Sequence, residues 1–460
     1  MKSLALALTL TTATVLALGA PVKEIPPPGS APKPFTLAST DNFTLANGLQ
    51  VTLAPYGAVP KVAIRAYVDA GAVREPAGKI WLAKLTALLM KEGTAKRSGE
   101  QIAKEAADMG GQLEVDSSND STTAGGVVLS EFGSQFAALL ADALTNATLP
   151  SSELARLKAD LVRELAVDKA QPGSLARERF LQVTFPDQPY GLTYPSNEAL
   201  AGYTLADVQA FFAENFAASR SHLYVVGKFD PAIKDSIKQA FSTWKQGQIA
   251  PLPPAKPVLA YSLSEIDRPG AAQSTVYVGL PVAGPKSPDY ITLDVMNSLL
   301  GGSFGSRITT NIREDKGYTY SPFSFLGQAG HDAYWVEVAD VTTAVTGPSL
   351  HEIFSELSKL RKDPPAEKEL KGIQTYLSGL FVLKNTISPD AVISQLHFVD
   401  SQEVDRSYLF TYVQKVNAVS PSDIQRVTET YIAPSKMTVV VVGDQSKVAS
   451  QLKPFDTLPQ

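Results

Sequence analysis

One pattern of 25 residues occurs twice in this chain. Residues 204–228 read TLADVQAFFAENFAASRSHLYVVGK and residues 420–444 read SPSDIQRVTETYIAPSKMTVVVVGD, ungapped at an offset of 216 residues. Asp207 pairs with Asp423, Gln209 with Gln425, Ala217 with Ala433, Ser219 with Ser435 and Gly227 with Gly443. Each copy sets Thr or Ser at a helix N-cap, then a helix, a short turn and a β-branched strand ending in glycine. Such a repeat restricts the chain to two homologous halves. They are expected at about 36–248 and 261–460, joined by a linker at 249–260 that contains PLPPAKP.

Hydrophobic periodicity fills in each half. Residues 49–53 and 62–69 alternate like paired strands, and 80–90 and 98–109 are helical, the second ending at Gly110-Gly111. Strands are expected at 112–116 and 121–129, and helices at 133–144 and 152–168. In the second half a strand at 274–280 precedes a helix at 290–300. This order predicts an α+β fold, each half a mixed, mainly antiparallel sheet packed with helices.

Composition excludes several classes of function. The formal net charge is -5, so no basic field invites nucleic acid or anionic lipid. There is no cysteine, which rules out disulfides, thiolate zinc sites and cysteine nucleophiles. Residues 1–20 read as a signal peptide: Lys2, then an apolar run from Leu4 to Leu18, then small residues for cleavage. That run is shorter than the roughly 20 residues a membrane span needs. The mature chain is therefore expected to carry no membrane span and to be periplasmic or secreted. A proline-rich linker, 21–35, follows.

Metal chemistry is hard to find. His222, His331, His351 and His397 have no second histidine at ligand spacing, and in the H-E-x-x run at His351 the second histidine position is Ser355. The glycine-rich stretch LLGGSFGSRI at 299–308 lacks the Gly-Lys-Ser/Thr of a phosphate loop, so a turn with close backbone approach is the simpler reading.

Several segments together carry a resemblance. They are AGAVRE at 70–75, LMKEGT at 89–94, the pair Gly110-Gly111, LLGGSFGSRI, and IREDKGYTY at 312–320. In these the chain resembles the pitrilysin-like peptidases, the family of insulinase and the mitochondrial processing peptidase, over most of its length after the linker. The resemblance implies that each half belongs to one side of a clamshell chamber. It also puts KLTALLMKEGT, 84–94, where the family carries H-x-x-E-H. There two histidines one turn apart hold zinc and the glutamate between them activates water. Lys84 and Leu88 stand at the histidine positions and Ala87 at the glutamate. Glu164 falls at the third-ligand position, a lone remnant read as an exposed or ion-paired helix residue, and Leu157 stands where a supporting glutamate is usual. No catalytic group and no metal are thus expected in this chain.

The second half keeps its motif. Arg313 and Tyr320 match the family's Arg-x6-Tyr pair, which implies substrate binding. Arginine offers a forked, permanently charged donor to a carbonyl or carboxylate, and a tyrosine hydroxyl can stabilise an oxyanion. On the residues alone, an Arg313 paired with Glu314 or Asp315 and a Tyr320 in the core would serve as well. Some family members are heterodimers whose subunits divide these parts. The resemblance then implies a non-catalytic, substrate-binding subunit of an exported zinc metallopeptidase. It would be inactive alone, act on peptides, and leave zinc to a homologous partner with an intact H-x-x-E-H. The alternative is a non-enzymatic peptide-binding or scaffold protein of the cell envelope.

Overall fold

In the computed structural model, residues 35–37, 39–186, 188–249 and 251–457 are described. The expected signal peptide and nearly all of the 21–35 linker lie outside the described residues. Asp207 and Asp423 recur because each closes a capping box. The Thr204 hydroxyl accepts from the Asp207 amide at 3.2 Å while the Asp207 carboxylate accepts from the Thr204 amide at 2.9 Å. Ser420 and Asp423 repeat this at 3.2 and 3.0 Å. These boxes satisfy amides that a helix leaves unpaired at its start. They open the helices Leu205–Asn215 and Pro421–Tyr431.

The first sheet holds β1 (Asp41–Thr44), β2 (Gln50–Pro55), β3 (Lys61–Val68), β4 (Glu114–Ser117), β5 (Thr122–Leu129) and β6 (Ser221–Gly227). The second holds β7 (Ser262–Asp267), β8 (Gln273–Val282), β9 (Phe323–Ala329), β10 (Asp332–Thr342) and β11 (Thr438–Gly443). Their orders are β1-β2-β6-β3-β5-β4 and β7-β11-β8-β10-β9. With β1 set aside the connectivity is the same. The pairs β2–β6 and β7–β11 are parallel, and every other pair is antiparallel. The repeated strand is thus an inner strand of each sheet. In β11 (TVVVVG) every residue is buried, the pattern of a strand covered on both faces.

Successive residues of a strand point to opposite faces, and here the two faces meet different halves. Val439 and Val441 pack with helices of the second half, while Val440 and Val442 pack with Ala176, Phe180 and Leu181 of the Pro172–Thr184 helix. The exchange is reciprocal. Leu223 and Val225 of β6 face the first half's core, while Tyr224 and Val226 face a cluster that includes Ile393 and Leu396 of the Pro389–Ser401 helix. Each half therefore lends one helix to the other half's sheet. Phe35 also crosses over, stacking on Phe410 at 5.8 Å. The 251–259 segment lies along this junction, with Ala255 buried and the Val258 amide bonded to the Thr184 carbonyl at 2.8 Å.

The Pro389–Ser401 seam also carries polar contacts. Arg65 clasps Asp390 at 3.0 and 2.7 Å, and Arg406 clasps Asp400 at 3.0 and 2.7 Å. The Tyr224 hydroxyl donates to Asp400 at 2.9 Å. His222 stacks on Tyr224, and His397 stacks on Tyr67 at 3.6 Å. Burial pushes both histidines down to about 4. An unfolded histidine titrates near 6.5. Between about pH 6.5 and 4 the unfolded chain therefore binds more protons than the folded one, and stability falls as pH drops through that window. The thermal midpoint should fall on acidification from pH 7 to 4, and fall less in the His222→Gln/His397→Gln double variant. Circular dichroism melts at stepped pH measure this, and an unchanged slope in the double variant would remove the histidines from the account.

Candidate functional site

The vestigial motif sits on the helix Leu82–Met90, whose start is built from a distance. Glu75 accepts from the amides of Trp81 at 3.2 Å and Ala83 at 2.8 Å. Burial pushes this carboxyl up to about 8. Trp81 has φ 71, a left-handed conformation that costs a non-glycine residue roughly 1–3 kcal/mol when the surroundings impose it. Its indole donates to the Thr193 carbonyl at 3.0 Å. The helix therefore starts where Glu75 and Trp81 hold it, and Lys84 lies one turn further on.

Lys84 forms an ion pair with Glu164 of the helix Ser151–Ala170, 80 residues away in sequence. Its ammonium also lies 4.4 Å from the centre of the Trp81 ring. Ala87 is buried, and Leu88 packs against the first half's core. The residue types at the family's ligand positions are thus an ammonium, a methyl, an isobutyl group and one carboxylate. They do not fit zinc, because no imidazole is present and the one carboxylate is already paired with the ammonium. A single positive charge faces Glu164 instead. Among the described residues, no group of three His, Cys, Asp or Glu side chains could hold a metal ion. With about a third of Lys84 and nearly half of Glu164 exposed, the pair contributes only about 0–1 kcal/mol to stability.

The second half presents its residues differently. The helix Tyr290–Asn297 continues into a π-helical turn, Ser298–Gly302, and a second π-helical stretch spans Thr310–Asp315. Such turns recur at functional sites. Gly301 is needed for close approach, since a Cβ there would lie 2.2 Å from a carboxylate oxygen of buried Glu337. Arg313 pairs with Glu314 at 3.1 Å, as its neighbours allow. Its guanidinium also lies 4.4 Å from the ring centre of Phe304 and 5.0 Å from that of Tyr320. Tyr320 is not a core residue: it is 79% exposed, and Phe304 is 69% exposed. The structure thus brings Arg313 and Tyr320 together and adds Phe304, which the sequence reading passed over inside its glycine-rich stretch.

Just beyond Tyr320, β9 forms a free sheet edge. The other three edges carry carboxylates that discourage pairing: Asp41 on β1, Glu114 and Asp116 on β4, and Glu265 and Asp267 on β7. β9 reads FSFLGQA, with neither charge nor proline, and its Phe323 is half exposed and stacked on Phe325 at 5.9 Å. An unblocked edge beside an arginine and exposed aromatic rings can add an extended strand.

Residues 53–195 match the family model described as insulinase (peptidase family M16), and residues 202–377 match that of the peptidase M16 inactive domain. An uncharacterised zinc protease of Bacillus subtilis is 25% identical over 83% of this chain and 98% of its own length. One from Rickettsia felis is 24% identical over 76% of this chain and 85% of its own. The crystal structure of a peptidase M16 inactive domain from Pseudomonas fluorescens superposes with a TM-score of 0.80, at 22% identity, covering 88% of this chain and 98% of that one. At that identity the likeness concerns the fold.

The missing donors can be put back. A Lys84→His/Ala87→Glu/Leu88→His variant, with Glu164 retained, should bind about one zinc ion per chain by elemental analysis, where the unaltered chain takes up none. A folded triple variant that remains metal-free would show that Glu164 is out of reach of the restored pair.

Proposed function

Since this chain belongs to the insulinase-type M16 peptidase family, we propose that it is a non-catalytic, substrate-binding subunit of an exported zinc metallopeptidase. The observation that carries this reading is the unequal state of its two halves. In the first, an ammonium–carboxylate pair, Lys84–Glu164, stands where ligands and base would be. In the second, Arg313 is held between two solvent-facing rings beside an unblocked strand edge. The partner in this reading is a homologous chain with an intact H-x-x-E-H, which supplies zinc, its ligands and the general base. This chain supplies substrate contacts. An extended peptide would pair its backbone with β9 and offer a carbonyl or carboxylate to the Arg313 fork. The Tyr320 hydroxyl would donate to the oxygen on which charge develops.

Export rests on the residues at 1–20. No described helix is long and apolar enough to cross a membrane. The test is reconstitution. The purified chain should cleave no peptide, and activity should appear on mixing with the H-x-x-E-H homologue. In that complex Arg313→Ala should lower kcat/KM by about tenfold or more, and Tyr320→Phe should act mainly on kcat. Full activity in the Arg313→Ala complex would sink the assigned role. Co-purification with a partner that is not a peptidase, with no activity recovered, would favour the scaffold reading.

A further inference from the structure

The two seams between the halves are built from equivalent elements and differ at one matched position. Phe180 and His397 each lie eight residues beyond the first-turn proline of their helix, Pro172 or Pro389. Phe180 packs onto Gly279 of β8, where a Cβ would come within 2.9 Å of the ring. Gly279 is opposite Thr438 in β11. The repeat mate of Thr438 is His222, and opposite His222 in β3 stands Tyr67. Tyr67 thus takes the place of the glycine, and His397 stacks on its ring at 3.6 Å and 14°. Where one seam seals a phenyl ring against a glycine, the other separates helix from sheet by two stacked rings. A cleft of about 630 Å³ opens beside them. That volume lies within the roughly 300–1,000 Å³ of small-ligand pockets.

The walls of the cleft define what it would take. Its floor includes Gln50, His222 and Tyr67, in register across three neighbouring strands. The helix adds Gln395 and His397. The charged groups around it are already paired. Asp400 is clasped by Arg406, Asp69 accepts from Arg74 at 2.8 and 2.6 Å and from Arg220 at 3.2 Å, and Asp120 accepts the Tyr190 hydroxyl at 2.8 Å. Both histidines are neutral above about pH 4. An inner sheet face has no free backbone groups to offer, so recognition falls to side-chain amides, which both donate and accept, and to ring faces.

We propose that this cleft is a second ligand site, for an uncharged small molecule rich in groups that both donate and accept hydrogen bonds. Two sources share that chemistry: the hydroxyls of a saccharide and the amides of a short peptide. The ligand would lie across β2, β6 and β3 and under the Pro389–Ser401 helix, bridging the two halves. The site is separate from Lys84 and Arg313 and does not depend on the peptidase reading.

Calorimetric titration of the full chain with N,N′-diacetylchitobiose and, separately, with N-acetyl-trialanine amide tests both sources. One of them should bind at millimolar concentration or below and raise the thermal midpoint. Gln50→Ala and His397→Ala should each weaken that binding about fivefold to tenfold, while Arg313→Ala leaves it unchanged. Gln50 is exposed, so its variant carries the test if His397→Ala fails to fold. The probe that binds identifies the source. Binding of neither probe, or binding unaltered by Gln50→Ala, overturns the proposal.

Discussion

Everything in this molecule depends on the exchange of one helix between its halves. Each sheet is covered on one face by its own half and on the other by a helix from the opposite half. Neither half could leave that second face bare, because β6 and β11 would then expose a row of large apolar and aromatic residues. Burying a large apolar side chain contributes about 1.5–3 kcal/mol, and the Pro172–Thr184 seam alone buries Phe180, Leu181, Tyr334, Val336, Val440 and Val442. The exchange makes the halves interdependent. It also sets the place of every functional candidate relative to the two sheets.

On that frame the two halves have diverged in opposite directions. The first half keeps the supports of its motif helix, with Glu75 and Trp81 still fixing its start, yet the groups that would do chemistry there are absent. An ammonium facing Glu164 is a modest substitute for a divalent ion: it balances one charge but cannot polarise a carbonyl or activate water. The second half sets an arginine, ion-paired with Glu314, against two solvent-facing rings. Absence on one side and an arginine with exposed rings on the other is the contrast on which the proposed division of labour rests.

Much of this was legible from residues whose role is local. The capping boxes revealed the repeat because Asp207 and Asp423 each serve an amide three residues away. Glycine at the end of each repeated strand and proline in the first helical turn are likewise local requirements. The two-sheet α+β fold follows from such signals doubled along the chain. What stayed hidden was non-local. Phe304 gave no sign of its exposure, because a phenylalanine in a glycine-rich stretch reads as a turn residue until the fold shows what surrounds it. In the sequence His222 and His397 show only that they lack a second histidine at ligand spacing, and their neutral, stacked arrangement against Tyr224 and Tyr67 appears only when the Pro389–Ser401 helix is laid on the first sheet.

The sequence by itself determined which chemistry is possible. Zinc ligation and water activation need imidazoles and a free carboxylate, and Lys84, Ala87 and Leu88 lack those groups in any fold. Tertiary structure alone decided what took their place and what else the chain offers. The pairing of Lys84 with Glu164, the freedom of the β9 edge, and the contrast between Phe180 on Gly279 and His397 on Tyr67 all join residues far apart in sequence. Such contacts are set by strand order and helix placement, which the whole core fixes together and no local segment encodes.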